Sequence, residues 1–167
     1  MTPDDLAFVL GIQQACYPPS MNEAATTILE RLAEAPEYAW IAMLRGEPAA
    51  YLMTYPSTLG KITPLGGEFR IPDAPDCLYI HDLAVRPSAN GKGLGAALVR
   101  RALAASRWGA SALVCVQDAR KFWTRQGFSE VRMAEPGQIA NLSTYPGQPC
   151  YMVRFSAAHA VPSMAAE

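Results

Sequence analysis

Apolar residues recur at helical spacing twice near the start of the chain. Leu6, Val9, Leu10 and Ile12 form one face of a helix that opens at Pro3, Asp4 and Asp5 and runs to about Cys16, before Pro18 and Pro19. Ile28, Leu29 and Leu32 repeat the spacing in a second helix, predicted from Asn22, whose side chain suits an N-cap, to Glu34, with Pro36 ending it. The pattern then changes to strands. Residues 38–44 and 48–55, separated by ArgGlyGlu, read as a hairpin. Residues 58–75 are rich in Gly and Pro and read as a surface loop, the one sizeable insertion. Beyond it the order is strand 78–85, helix 93–108, strand 112–117, helix 118–126 and strands 128–134 and 149–155. The Ala-rich residues 156–167 read as a frayed tail, and with no repeat or linker, residues 1–155 read as one domain.

The strand at 78–85 leads into the most informative segment. Gly91, Gly93 and Gly95 stand at alternate positions just ahead of a helix, where missing Cβ atoms let backbone approach a ligand. A helix start adds unpaired N–H groups and the positive end of the dipole, so the unit is suited to a diphosphate. A Walker A loop is excluded, because no Ser or Thr follows Lys92 and the outer glycine spacing is missing. Gly91, Gly93 and Ala96 do satisfy the dinucleotide pattern G-x-G-x-x-[GA], with Asp118 downstream at about the distance of a ribose contact. Against that reading, residues 86–90 separate the strand from Gly91, and no second βαβ run follows to complete a doubly wound sheet.

Composition narrows the partners. The chain has 167 residues, half of them apolar, which is enough for one core. Fourteen basic residues nearly balance fifteen acidic ones, and no basic stripe marks a nucleic-acid footprint. The four cysteines, Cys16, Cys77, Cys115 and Cys150, lack C-x-x-C spacing, so neither a metal site nor a disulfide framework is expected. No run reaches the length of a membrane span, and Asp4 and Asp5 stand where a signal peptide is basic; a cytoplasmic protein is expected.

The segment after the strand resembles the acetyl-coenzyme A signature of the GNAT N-acetyltransferase superfamily, [QR]-x-x-G-x-[GA]. Here it reads AsnGlyLysGlyLeuGly at residues 90–95, after LeuAlaValArgPro at 83–87. Asn90 stands where the superfamily has Gln or Arg, but backbone amides do most of that loop's work. A second motif follows in order: Phe122, Trp123, Gly127 and Phe128 resemble F-Y-x-x-x-G-F. The likeness covers about residues 4–155, with its specific part at 78–128.

The resemblance implies a mixed α/β (α+β) fold: a central, mostly antiparallel sheet whose two central parallel strands splay apart, flanked by helices. The superfamily's opening strand has no counterpart ahead of the first helix, so the sheet is expected to begin at the second. Acetyl-coenzyme A is the implied donor and no metal is implied. Its pantetheine arm is expected along Leu83, Ala84 and Val85, pairing with the amides of Leu83 and Val85. Its diphosphate is expected on the loop of Asn90, Gly91, Lys92, Gly93, Leu94, Gly95 and Ala96, with Phe122 and Trp123 beside the site. The partner implied is a small-molecule primary amine, attacking directly in a ternary complex, in a monomer or homodimer.

Transfer needs a neutral amine, hence a base, and a leaving thiolate favours an acid. His81 is the first candidate base, since an imidazole titrates near neutrality and arylalkylamine N-acetyltransferases carry a histidine in a similar run, HisAlaLeuAlaVal against HisAspLeuAlaVal here. A packed strand histidine is the competing reading. Tyr79 shares its face on a regular strand, where histone-type members hold a glutamate. Asp82 falls on the opposite face unless a bulge intervenes, and is either an orienting carboxylate or an anchor for a partner such as Arg86. Trp123 replaces the tyrosine acid and its indole cannot supply a proton. Tyr151 or Tyr145, release of free thiolate, or a catalytically silent coenzyme A-binding module remain open. Cys115 and Cys150 are weighed as nucleophiles for a ping-pong route, but Cys115 alternates with apolar neighbours on a central strand and reads as a small buried hydrophobe, and direct attack by the amine is expected. Glu68, Phe69 and Arg70 are candidates to lie over the acceptor, and Glu23, Glu30 and Glu68 are the charges that could meet a cationic one.

Overall fold

The computed structural model describes residues 1–68 and 70–156. A 3-10 turn at Pro3–Asp5 leads into α1 (Leu6–Cys16), and α2 (Ala25–Glu34) follows before any described strand. Next come β1 (Ala39–Leu44), β2 (Glu47–Ser57) and β3 (Cys77–Val85). The remainder alternates: α3 (Leu94–Ala105), β4 (Ala110–Cys115), α4 (Arg120–Arg125), β5 (Ser129–Glu130), α5 (Pro136–Leu142) and β6 (Cys150–Phe155). Among the described residues six strands form one mixed sheet in the order β1-β2-β3-β4-β6-β5, in which only β3 and β4 run parallel. The sheet begins with the hairpin, as the resemblance implies. Arg45 and Gly46, at φ 54° and 86°, make its two-residue turn, in which both central residues must take positive φ.

Each face of the sheet has its own core. Ala50, Leu52, Leu78, Ile80 and Leu113 pack with Leu98, Val99 and Ala102 of α3 and with Trp123 and Phe128. On the other face Tyr51, Met53 and Ala84 pack with Val9 and Ile12 of α1 and Ile28 and Leu32 of α2. Further along it, Tyr55, Tyr79, Tyr145 and Tyr151 surround Ile62. Residues 58–68 are therefore no simple surface loop: they contain no helix or strand, yet Ile62 and Thr63 are buried.

Several boundaries differ from the sequence reading. Asn22 does not cap α2, which starts at Ala25 with no side-chain cap. Gln13 holds residue 23 ahead of the helix instead, donating from Nε2 to the Glu23 carbonyl and accepting from the Glu23 amide, both at 3.0 Å. β5 has only two residues, and α5 was not anticipated. Its apolar pattern is weak and it buries no side chain, but Glu135 caps it by accepting from the amides of Gly137 and Gln138, both at 2.8 Å, with Pro136 in the first turn. That cap was the available signal. Residues 157–167, read as a frayed tail, lie outside the described residues, as does Phe69. Among the described residues no helix is long and apolar enough to cross a membrane.

Candidate active site

The parallel strands part company halfway along. β3 and β4 pair from Cys77 and Ala110 only as far as Ile80 and Leu113, and the following residues diverge. A cleft of about 310 Å³ fills the gap, lined by Cys16 and Tyr17 from the end of α1, by His81, Leu83 and Val85 from β3, and by Trp123 among others. The backbone edge exposed there follows from strand geometry. The N–H of Arg86 bonds back to Ala49 on the β2 side at 2.8 Å, so the alternate residues Leu83 and Val85 turn their amides and carbonyls toward the cleft. Two side chains reach those carbonyls: the Tyr17 hydroxyl donates to Leu83 at 3.0 Å and the Cys16 thiol to Val85 at 3.1 Å. Ala84, between them, packs into the α1/α2 core instead.

At its open end the cleft shares Val85 and Asn90 with a second cavity of about 450 Å³, lined by Gly91, Gly93, Leu94, Gly95, Ala96, Phe122 and Arg125. Gly93 is the N-cap of α3 at φ 77°, and the first helical amide to bond back is that of Ala97, to the Gly93 carbonyl at 2.9 Å. The amides of Leu94, Gly95 and Ala96 thus have no preceding turn to donate to, and they ring a cavity with room for a diphosphate. Lys92 is placed differently from the sequence reading. Its amide bonds to Ala89 at 3.3 Å, its side chain is exposed, and it does not line the cavity. Asn90 lines both cavities, but its amide is likewise engaged, with Pro87 at 3.2 Å. The cation that does line this cavity, among the described residues, is Arg125, which the sequence reading missed because it sits between the second motif's aromatic pair and its glycine. At Gly95 the helix approaches its neighbours closely, since a Cβ there would lie 3.4 Å from Val85 and 3.5 Å from Phe122.

At the inner end of the cleft, β3 carries a bulge. Met53 pairs with Asp82 and Thr54 with Ile80, leaving His81 as the extra residue. The bulge turns His81 and Asp82 to the same face, the one covered by α1, α2 and the 58–68 segment. His81 and Asp82 line a small cavity of about 40 Å³ with Tyr17, Met21, Glu23, Leu65, Val114, Val116 and Tyr145. Tyr17, His81, Val114 and Val116 are common to this cavity and the cleft.

His81 and Asp82 have different partners. Asp82 is half-buried and accepts from the hydroxyls of Tyr17, at 2.6 Å, and Tyr51. Burial pushes its carboxyl up, and the two hydroxyls only partly oppose that shift. Its partners are therefore tyrosines rather than Arg86, which donates to Pro48 at 3.1 Å. His81 Nε2 lies 3.2 Å from one Glu23 oxygen and 3.4 Å from the other. Glu23 also accepts from the Arg31 guanidinium and, at 3.1 Å, from the Gly66 amide. Burial alone would raise the Glu23 carboxyl, but His81 and Arg31 together hold it well below the usual carboxylate range. His81 Nδ1 is buried and has no hydrogen-bond partner among the described residues.

The remaining candidates lie elsewhere. Tyr79 is buried, stacked on Tyr55 with ring centroids 5.2 Å apart, and lines neither the cleft nor the small cavity. Tyr151 accepts from the Gly60 amide at 2.9 Å and lines a separate groove with Leu59, Met133 and Phe155; burial pushes its phenol up to about 12. Tyr145 does reach the small cavity, with its hydroxyl donating to the Thr63 carbonyl at 2.8 Å. Trp123 lines the cleft and packs edge-on against Phe122 and Phe128. Cys115 and Cys150 face each other across β4 and β6, both buried, with the Cys115 thiol pushed up to about 12 by burial. Glu30 and Glu68 share a surface groove with Arg70, apart from Glu23. The sequence signals for Glu23 as a site residue were slight, because it lies between two helices and a separation of 58 residues hides its proximity to His81.

Residues 6–128 match the acetyltransferase (GNAT) family. No curated protein matches the sequence. Among solved structures, a GNAT-like decarboxylase called GphF, in complex with isobutyryl-CoA, superposes with a TM-score of 0.71 at 12% identity, over 93% of this chain and 96% of that one. Ard1 from Thermoplasma volcanium gives a TM-score of 0.66 at 17% identity, over 93% of each chain. The PaiA N-acetyltransferase from Thermoplasma acidophilum, in complex with coenzyme A, gives 0.67 at 10% identity, over 93% of this chain and 96% of that one.

Proposed function

The chain belongs to the acetyltransferase (GNAT) family, and from that premise we propose that it transfers an acetyl group from acetyl-coenzyme A to a primary amine of a small molecule, by direct attack with both bound. The observation that carries this reading is the splay of β3 from β4 beyond Ile80 and Leu113, with the backbone of Leu83 and Val85 turned into it and the α3 N-terminus at its mouth. The donor's residues are then Leu83 and Val85 for an extended arm, and Gly91, Gly93, Leu94, Gly95, Ala96 and Arg125 for its diphosphate. When bound, the donor supplies an activated thioester, the electrophile of the reaction.

The protein's own part is to position, desolvate and move a proton. Met21, Leu65 and Tyr145 close the inner end, where about 40 Å³ suits a short acyl group and a slim acceptor. The 58–68 segment is pinned over that end, with Gly66 donating to Glu23 and Gly67 accepting from Arg31 at 2.9 Å, which favours a small amine over a bulky one. His81, common to cleft and cavity, is the base that makes the acceptor neutral. Asp82 serves through Tyr17, fixing the hydroxyl that also meets the Leu83 carbonyl. Trp123 at the cleft offers no proton, so the thiolate leaves unprotonated or takes a proton from solvent. The same tryptophan is the observation behind a second reading, a coenzyme A-binding module without catalysis.

Calorimetric titration with acetyl-coenzyme A, followed by thiol release across a panel of amines, separates the two. Binding with release on an amine supports the transferase; binding without release on any amine supports the silent module. Binding of NAD in place of acetyl-coenzyme A would remove both.

A further inference from the structure

We propose that Glu23 positions His81 by holding its Nε2–H, so that Nδ1 is the nitrogen that takes the acceptor's proton. The proposal rests on the acetyl-transfer reading for what the proton transfer achieves, and on geometry alone for the pair itself. A neutral imidazole carries one N–H, and the nitrogen facing a carboxylate is the one that keeps it. Both Glu23 oxygens lie within 3.4 Å of Nε2, while buried Nδ1 has no partner among the described residues. The carboxylate is itself immobilised. Arg31 and the Gly66 amide hold its oxygens, and Gln13 clamps the residue's backbone from both sides. Residues from α1, α2, the 58–68 segment and β3 thus converge on Glu23.

The step is a single proton transfer. An acceptor ammonium gives its proton to Nδ1, the amine keeps the lone pair, and the ring becomes an imidazolium whose Nε2–H remains on the Glu23 carboxylate. No electron changes hands. The other titratable groups around His81 do not compete for this role. Tyr17, Tyr55, Tyr79 and Tyr145, from the C-cap of α1, β2, β3 and the segment after α5, are phenols that burial keeps neutral. Asp82, on the same strand, is committed to two hydroxyls, and Arg31 meets the ring only through Glu23.

The direct test is the tautomer of His81, read by long-range proton–nitrogen NMR of the full chain labelled in its two histidines, with His81→Gln assigning the signal. A neutral ring protonated at Nε2 and bare at Nδ1 is expected. An Nδ1–H ring, or an averaged mixture like free imidazole, overturns the proposal whether or not the protein acetylates anything. The kinetic test uses Glu23→Gln on an amine that the panel identifies. Removing the carboxylate destabilises the imidazolium, so the acid limb of the pH–rate profile moves to lower pH and kcat falls by about tenfold or more, with acetyl-coenzyme A binding unchanged. Glu23→Asp, which keeps the charge, restores the limb toward wild type. An unmoved limb in a folded Glu23→Gln variant overturns the pairing, and failure of every amine removes the reaction while leaving the tautomer test intact.

Discussion

A carboxylate taken out of water stays an anion only where neighbours replace its hydration, and Glu23 has that replacement in Arg31, His81 and the Gly66 amide. Removing one member of such a buried pair leaves the other charge exposed to a low-dielectric interior. Glu23→Gln is therefore expected to cost about 3 kcal/mol of stability at pH 7, measured by urea unfolding. Tyr145→Phe removes a single neutral hydrogen bond, to the Thr63 carbonyl, and should cost only about 1 kcal/mol. At this scale the sequence was informative about chemistry and poor about neighbours. His81 stood out in its strand run, but its partner Glu23 lies 58 residues away, and only folding makes the two adjacent. Tyr151 was the leading candidate acid on paper and Tyr145 an alternative; the first hydroxyl faces Gly60 in a separate groove, the second reaches the small cavity.

Among the elements, the turn from β3 into α3 is written almost entirely in local residue types. Gly93 at φ 77° occupies a conformation that a β-branched residue strongly resists, so Gly93→Val should weaken acetyl-coenzyme A binding by about tenfold or more in calorimetry and also lower stability by about 1–3 kcal/mol in urea unfolding. The 58–68 segment was legible only as a break in periodicity. It closes the small cavity with Leu65, and Leu65→Ala is expected to raise turnover with butyryl- relative to acetyl-coenzyme A, measured as a ratio of kcat/KM values. An unchanged ratio would place the acyl group elsewhere. The bulge at His81 lies between these cases. A regular strand puts Asp82 and His81 on opposite faces, and the inserted residue puts them on the same one.

In the whole molecule, the Glu23 cluster ties the α1–α2 connection, α2 and the 58–68 segment to the central strand, so its ionisation state bears on global stability. The sign follows from the direction of the shift. A carboxyl held below its ordinary value, 4.5, contributes stability that is fully present above that pH and is lost as pH falls toward the depressed folded value. Asp82, held above its ordinary 3.8, acts in the opposite sense: its contribution is full below that value and is lost as pH rises through the raised one. The stability difference between wild type and Glu23→Gln should therefore shrink as pH is lowered from about 6 to 3, read from urea midpoints. The sequence by itself determined the order of helices and strands apart from α5, the glycine loop ahead of α3 and the superfamily likeness, because periodicity, turn glycines and short motifs are local properties of the chain. Tertiary structure alone decided where α2 starts, that residues 58–68 enter the core, that Arg125 rather than Lys92 lines the cavity at the α3 N-terminus, and that Glu23 meets His81. Those outcomes are set by which surfaces pack together, and contacts between distant residues have no period or spacing from which to be read.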